Sequence, residues 1–327
     1  MQCDQHAKKS GVPSSLDPGV FLDYIGRVDS AEQFELVRLV NGTTSIRSLR
    51  VGETFHPVIG PVTEAKALYV DQLNLLERME SSEGEFVIWD VGLGAGANAL
   101  TVLRETRSSK RMLKLISFDH SLEPLQFAVR HAVPLGYFDS YTERVHQILH
   151  HANSSFVDGK RDVRWTFHLG DFPEFLRTAS FGQLPAPHVV LFDAYSPMRN
   201  PEMWTLEVFS RLFQLLDPDR PCLLPTYSRS TLLRVTLLLA GFSVGVGHAT
   251  GDKNETTIAS NSQKLLAEPL GRAWLERAER SSSAEPLHEP VYRQAPLSLD
   301  TLRRLQSHPQ FNPLTGDPLA RLQVSRR

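Results

Sequence analysis

Cysteine is scarce in this 327-residue chain: Cys3 and Cys222 are the only two, far apart and in no metal-like spacing. That argues against a disulfide framework and a thiolate zinc site, and makes a reducing cytoplasm the expected compartment. No run approaches the roughly 18 apolar residues that a membrane helix needs. The polar stretch from Met1 to Pro18 has no apolar signal-peptide core. A strong charge of either sign is also lacking, since 35 Lys and Arg face 37 Asp and Glu. A nucleic-acid partner would have to be met by a local basic face. There is no internal repeat and no second glycine-rich cradle. The hydrophobic content of 41% is ordinary for a globular chain, enough for one large domain with an accessory region or for two domains.

What is present centres on Phe86-Val-Ile-Trp-Asp-Val-Gly-Leu-Gly-Ala-Gly-Ala-Asn98. It reads as an apolar strand carrying Asp90, a loop with Gly92, Gly94 and Gly96, and the start of a helix. Glycines let the backbone approach a ligand, and the free N–H groups of the helix start face it, so the stretch is a nucleotide-cofactor cradle. Gly92-x-Gly94-x-x-Ala97 fits the NAD fingerprint. The Asp-x-Gly-x-Gly-x-Gly spacing from Asp90 to Gly96 leans towards S-adenosylmethionine.

Ahead of the cradle, two strand-like runs flank Asn41-Gly42 and predict a β-hairpin. A helix is expected from about Glu64, with Thr63 as its cap. After the cradle, strands and helices alternate, which argues for a doubly wound parallel sheet. The second strand, Leu113 to Phe118, ends in Asp119. The third, Val163 to Leu169, ends in Gly170-Asp171-Phe172, and the fourth, His188 to Phe192, ends in Asp193. All three acids fall at carboxyl ends of parallel strands, where open α/β sheets bind ligands. A helix to about Leu216, a strand at Cys222 to Tyr227 and a helix at Ser230 to Ala240 follow. Strands at Phe242 to Gly247 and Glu255 to Ser260 then suggest an antiparallel edge, an ending that suits methyltransferases better than dehydrogenases. Residues 136–161 read as a polar insertion. His146 and His150 have helical spacing but no third ligand, so no metal is expected. Cys222, in a strand, reads as core packing.

Two stretches resemble the MnmC-type tRNA methyltransferase family. Phe192-Asp-Ala-Tyr-Ser-Pro-Met-Arg-Asn-Pro-Glu-Met-Trp-Thr205 is similar to that family's signature, and Gly92-Leu-Gly-Ala-Gly-Ala-Asn98 to its glycine loop. Thr54-Phe-His-Pro-Val-Ile-Gly-Pro-Val-Thr-Glu64, Thr226-Tyr-Ser-Arg-Ser and Leu239-Ala-Gly-Phe242 add to the likeness, which covers about residues 50 to 262. The resemblance implies a class I, Rossmann-like S-adenosylmethionine-dependent methyltransferase. It also implies methyl transfer to the exocyclic amine of 5-aminomethyl-2-thiouridine at the tRNA wobble position. Many family members carry a second, FAD-dependent domain. This chain resembles the methyltransferase half alone, so its amine would be made elsewhere. It departs from the family at Arg199, where a lysine is usual, at Ala194-Tyr195, where Gly-Phe is usual, and at Asp119-His120.

On this reading Asp193 is the catalytic carboxylate: an ammonium cannot attack, and a carboxylate beside it accepts its proton or orients its lone pair. Asp119 is expected on the cofactor's ribose hydroxyls, and Asp171 with Phe172 on its adenine. Glu64 and Asn98 are expected at its methionine end, and Asp90, Gly92, Gly94 and Gly96 in its cradle. Tyr195 and Trp204 are candidates to stack on the target base, and Arg199 to meet a phosphate. The blander alternatives are a turn or helix cap for each acid, a buried structural aromatic for Trp204 and a solvated charge for Arg199. The expected organisation is an N-terminal tail, hairpin and lead-in helix (1–83), a cofactor-binding domain (84–262) and a mildly basic tail (263–327). Rival readings are an aminopropyltransferase of the spermidine synthase type, an NAD-dependent dehydrogenase, and a protein that binds cofactor or tRNA without turnover.

Overall fold

The computed structural model describes residues 33–312. The expected N-terminal tail with Cys3, and the end of the C-terminal tail, lie outside the described residues. Strands β1 (Phe34–Arg38) and β2 (Thr44–Ser48) form the expected hairpin, and β3 (Glu53–Thr54) pairs with β2. At its turn Gly42 takes φ +81°, and Asn41 Oδ1 accepts from the Thr43 amide at 3.0 Å. Helix α1 (Pro61–Ala65) begins earlier than Thr63, because Pro61 sits at its first position, where the missing N–H costs nothing. A π-turn (Lys66–Asp71) leads to α2 (Leu75–Ser81).

The body is an eight-stranded sheet. Its strands are β4 (Phe86–Val91), β5 (Leu113–Asp119), β6 (Asn153–Asp158), β7 (Arg161–Leu169), β8 (Val189–Phe192), β9 (Leu223–Thr226), β10 (Ser243–Gly247) and β11 (Thr256–Ser260). Their order is β10-β11-β9-β8-β4-β5-β7-β6. β4 pairs in parallel with both β5 and β8, and every residue of β4 is buried, as a strand covered on both faces requires. β11 runs antiparallel to β9 and to β10, so β10 and β11 make the edge hairpin the sequence predicts, with β11 between β9 and β10. The chain order reverses at β4, so the crevice above β4 and β8 is the natural ligand site.

One face carries α1, α3 (Ala97–Glu105), α4 (Glu123–Arg130), the short α5 (Ala132–Leu135) and α6 (Thr142–His151). The other carries α7 (Phe172–Thr178), α8 (Leu206–Leu215), α9 (Thr231–Ala240), α10 (Arg272–Glu279) and α11 (Leu299–Gln306). Leu265 and Leu266 pack on the first face, and the segment from Leu270 to Phe311 packs on the second. Trp274, Leu275, Leu305 and Phe311 are buried there, and the Leu206 amide donates to Leu287 O at 2.8 Å.

The polar insertion supplies α6 and the edge strand β6, which pairs antiparallel with β7. Its anchor is buried: Arg161 donates to Thr106 Oγ1 at 2.7 Å and Leu103 O at 3.0 Å, beside Asp158. Among the described residues no helix is long and apolar enough to cross a membrane, and no group of three or more side chains is placed to hold a metal ion.

Candidate active site

The glycine loop after β4 is shaped by what it touches. Gly92 has φ +91°, and a Cβ there would lie 2.7 Å from the carbonyl oxygen of Asp193. Only a glycine lets the loops after β4 and β8 come this close. The Gly94 amide donates to Asp119 Oδ2 at 2.8 Å, tying the loop to the acid that ends β5. Gly96, at φ +80°, caps α3. In the first turn of α3, buried Asn98 donates through Nδ2 to Asp193 Oδ2 at 2.7 Å. Its Oδ1 is shut from solvent and has no hydrogen-bond partner among the described residues.

Gly92, Gly94 and Asn98 floor a cleft of about 1160 Å³, which Gly96 does not line. Glu64, Asp119, Asp171, Phe172, Asp193, Tyr195 and Arg199 also line it, so the structure brings most of the sequence candidates together. Phe172 is buried against Phe118, their rings 5.1 Å apart and edge-on. Asp171 borders the cleft, but its Oδ1 caps α7, accepting from the Glu174 amide at 2.7 Å. Arg199 is exposed at the rim with Arg50 near it, and His120 pairs with Asp119 at 3.2 Å. That hydrogen bond to Asp119 is the main reason His120 holds its proton more tightly than usual.

Two further candidates also stand off the cleft. Trp204 is fully buried, with rings of Phe192 and Tyr227 against it and its Nε1 donating to Tyr195 O at 2.7 Å. It supports the loop that carries Tyr195 and has no face left for a base. Asp90 lies beneath the loop and does not line the cleft. Its Oδ2 accepts from Ser117 Oγ at 2.8 Å, which in turn accepts from Trp165 Nε1 at 3.0 Å. Burial pushes the Asp90 carboxyl up to about 7, against the pull of the Ser117 hydrogen bond.

Sequence reasoning left out the cleft's roof. The loop after β3 places Phe55 against Tyr195, ring centroids 5.6 Å apart. His56, at φ +48°, sits between two acids, Nε2 being 3.7 Å from Asp193 and Nδ1 3.9 Å from Glu64. Glu53 clasps the loop after β8, accepting from the amide and hydroxyl of Ser196. From the far side Lys253 donates to Tyr227 O at 3.1 Å, with its ammonium 4.6 Å from the Tyr227 ring centre. Burial lowers the Lys253 pKa and raises that of Glu64. His56 and Tyr227 stand within stretches that carry the family likeness, but nothing in their local pattern marks chemistry. Lys253 has no signal at all.

Residues 138–262 match a family described as S-adenosyl-L-methionine-dependent methyltransferase. The tRNA 5-methylaminomethyl-2-thiouridine biosynthesis bifunctional protein MnmC of Methylibium petroleiphilum is 26% identical over 249 residues, covering 72% of this chain and 36% of that protein. Its counterpart from Cupriavidus metallidurans is 28% identical over 244 residues, covering 70% of this chain and 35% of its own. The chain thus spans little more than a third of these relatives. The crystal structure of MnmC2 from Aquifex aeolicus superposes with a TM-score of 0.62 at 21% identity, covering 90% of this chain and 91% of that one, a likeness of fold. The sheet is that of a class I methyltransferase, and the chain is an S-adenosyl-L-methionine-dependent methyltransferase related in sequence to the MnmC proteins.

Proposed function

We propose that this methyltransferase methylates the exocyclic amine of 5-aminomethyl-2-thiouridine at the wobble position of tRNA. The observation that carries the reading is a carboxylate, Asp193, fixed by Asn98 at the edge of the glycine cradle and facing a cleft wide enough for a nucleoside. The names of the curated relatives point to the same modified base.

The residues present fit the cofactor. The Gly92 close approach leaves room where a side chain would fill the cradle, and the buried Asn98 Oδ1 is an acceptor awaiting a donor. Asp119 is assigned to the ribose hydroxyls, Asp171 and Phe172 to the adenine, and Glu64 and Asn98 to the methionine end. Bound there, the cofactor supplies an electrophilic methyl group on a sulfonium centre. The protein's own task is to hold an amine beside it and strip that amine of its extra proton, since a protonated amine has no lone pair to offer. Asp193 accepts that proton. Tyr195, half-buried beside Phe55, offers a ring for the target base, and Arg50 and Arg199 offer cations for phosphates at the rim. The cytoplasm, where tRNA is matured, is the compartment assigned.

The test is transfer of labelled methyl from S-adenosylmethionine to bulk tRNA taken from cells that lack this modification, followed by nucleoside analysis. Label is expected in 5-methylaminomethyl-2-thiouridine. Tight binding of S-adenosylhomocysteine with no label in tRNA would overturn the tRNA reading and direct the search to small amines.

A further inference from the structure

His56 occupies the loop between β3 and α1 with φ +48°, directly before Pro57. A left-handed backbone is uncommon outside glycine, although His is among the residues that tolerate it, and such an outlier at a cleft invites a functional explanation. The ring is 11% exposed and stands between two carboxylates from different parts of the fold. Asp193 Oδ2 lies 3.7 Å from Nε2 and Glu64 Oε2 lies 3.9 Å from Nδ1. Both separations exceed a hydrogen bond, so the ring is locked to neither acid and a small rotation brings it to either. Catalytic hydrogen bonds are often this loose before substrate binds.

We propose that His56 is the positioning residue that takes the substrate's proton from Asp193 and resets it for the next turnover, an inference that rests on the amine-methylating reading above. The other charged or titratable groups around this pair are unsuited to the task. Lys253 is committed to Tyr227, and burial keeps the phenols of Tyr69 and Tyr227 protonated well beyond their usual range. Glu64 is held above the usual carboxylate range by burial, with Asp193 adding to the shift and His56 and Lys253 opposing it. An imidazole is the side chain that exchanges a proton near neutral pH.

The tautomer with Nδ1–H towards Glu64 leaves the Nε2 lone pair towards Asp193. The ammonium N–H bond breaks as an O–H bond forms on Asp193. That O–H bond then breaks as an N–H bond forms on Nε2, and Asp193 is ionised again. The imidazolium rests between two carboxylates until solvent takes its proton. Glu64 would serve this charge through Oε2 while also holding the methionine end of the cofactor when it is bound.

The experiment measures kcat for methylation of amine-bearing tRNA from about pH 7, where an alkyl ammonium is protonated, to about pH 10, where much of it is free amine. The variant is His56→Asn, because Asn tolerates a left-handed backbone and neither takes up nor gives up a proton in this pH range. The expected result is a loss of about 100-fold at the neutral end that shrinks to about threefold at the alkaline end, with unchanged affinity for S-adenosylhomocysteine. A loss of equal size at every pH, or no loss at the neutral end, overturns the proposal. Glu64→Gln, judged on the pH dependence of kcat alone, is expected to show a smaller loss with the same alkaline recovery, and keeps the test open if His56→Asn does not fold. Wild-type protein that binds S-adenosylhomocysteine but labels no tRNA amine counts against the substrate reading and this inference together. Active wild type with a pH-independent defect in His56→Asn counts against this inference alone.

Discussion

Asn98 Nδ2 and Asp193 Oδ2 lie 2.7 Å apart, so the helix that follows the glycine loop holds the acid that follows β8. One contact therefore joins the cofactor cradle to the proton acceptor. Replacing Asn98 by Ala leaves a small buried hole and a carboxylate free to turn. The expected outcome is a fall in kcat of about 10- to 100-fold, larger than any change in S-adenosylhomocysteine affinity. Steady-state kinetics paired with calorimetric titration checks it, and an affinity loss that exceeds the kcat loss would assign Asn98 to the cofactor alone.

Gly92→Ala is expected to disrupt the site through backbone geometry. Its Cβ would meet the Asp193 carbonyl at 2.7 Å on a backbone already at φ +91°. Strain and overlap together should cost roughly 2–4 kcal/mol and displace the loop that bears Asp193. Gly94→Ala is the comparison. Its φ of +51° is in the left-handed region, and the nearest atom, on Phe55, is 3.6 Å away. It should cost about 1–2 kcal/mol. Urea unfolding of the two variants side by side decides, and equal stabilities would contradict the close approach.

Asp90 makes stability depend on pH. Burial raises its carboxyl from 3.8 to about 7, so the folded protein holds this proton more tightly than the unfolded chain. The stabilisation is complete below the unfolded value and is lost as pH rises from about 4 through about 7. Asp90→Asn keeps an acceptor for Ser117 and removes the titration. It should flatten this slope and leave the variant more stable than wild type at about pH 8, by at most about 4 kcal/mol. Urea midpoints across that range provide the measurement, and parallel slopes for both proteins would refute the assignment.

Trp204 and Tyr195 separate structure from recognition. Trp204→Ala empties a fully buried site and should cost about 3–5 kcal/mol. Trp204→Phe should keep activity once folded, while losing the hydrogen bond to Tyr195 O. Tyr195→Ala should leave stability nearly intact and raise KM for tRNA. A Trp204→Phe protein with normal stability and a strongly raised KM would return Trp204 to the base-binding surface.

The sheet was legible because β4, β5, β8 and β9 are short, mostly apolar runs and β7 alternates apolar with polar residues, and the acids at the ends of β5 and β8 come with those runs directly. Periodicity does not say which way an aromatic points, so Trp204 could be read for the base or for the core until Phe192 and Tyr227 were seen around it. Asp171 was open between cap and ligand, and it does the first through Oδ1, which accepts from the Glu174 amide, while still lining the cleft. Helices α10 and α11 carry four and three charged residues among their eight. Their few apolar residues, such as Trp274 and Leu305, reveal themselves only once a partner face exists. His56 and Lys253 lie in irregular loops, where no spacing rule applies, and meet the acids only through long-range folding.

The clasp between Glu53 and Ser196 joins residues 143 apart in sequence. Such contacts form late, because the chain must first close a long loop to make them. The glycine cradle and β5 are near neighbours in sequence and have no such wait. Until β8 docks beside β4, the segment bearing His56 and Glu64 lacks its clasp to Ser196, and Asp193 is not yet in place to be held by Asn98. The completed site therefore depends on the docking of β8, and activity is a readout of that assembly that cofactor affinity alone does not give.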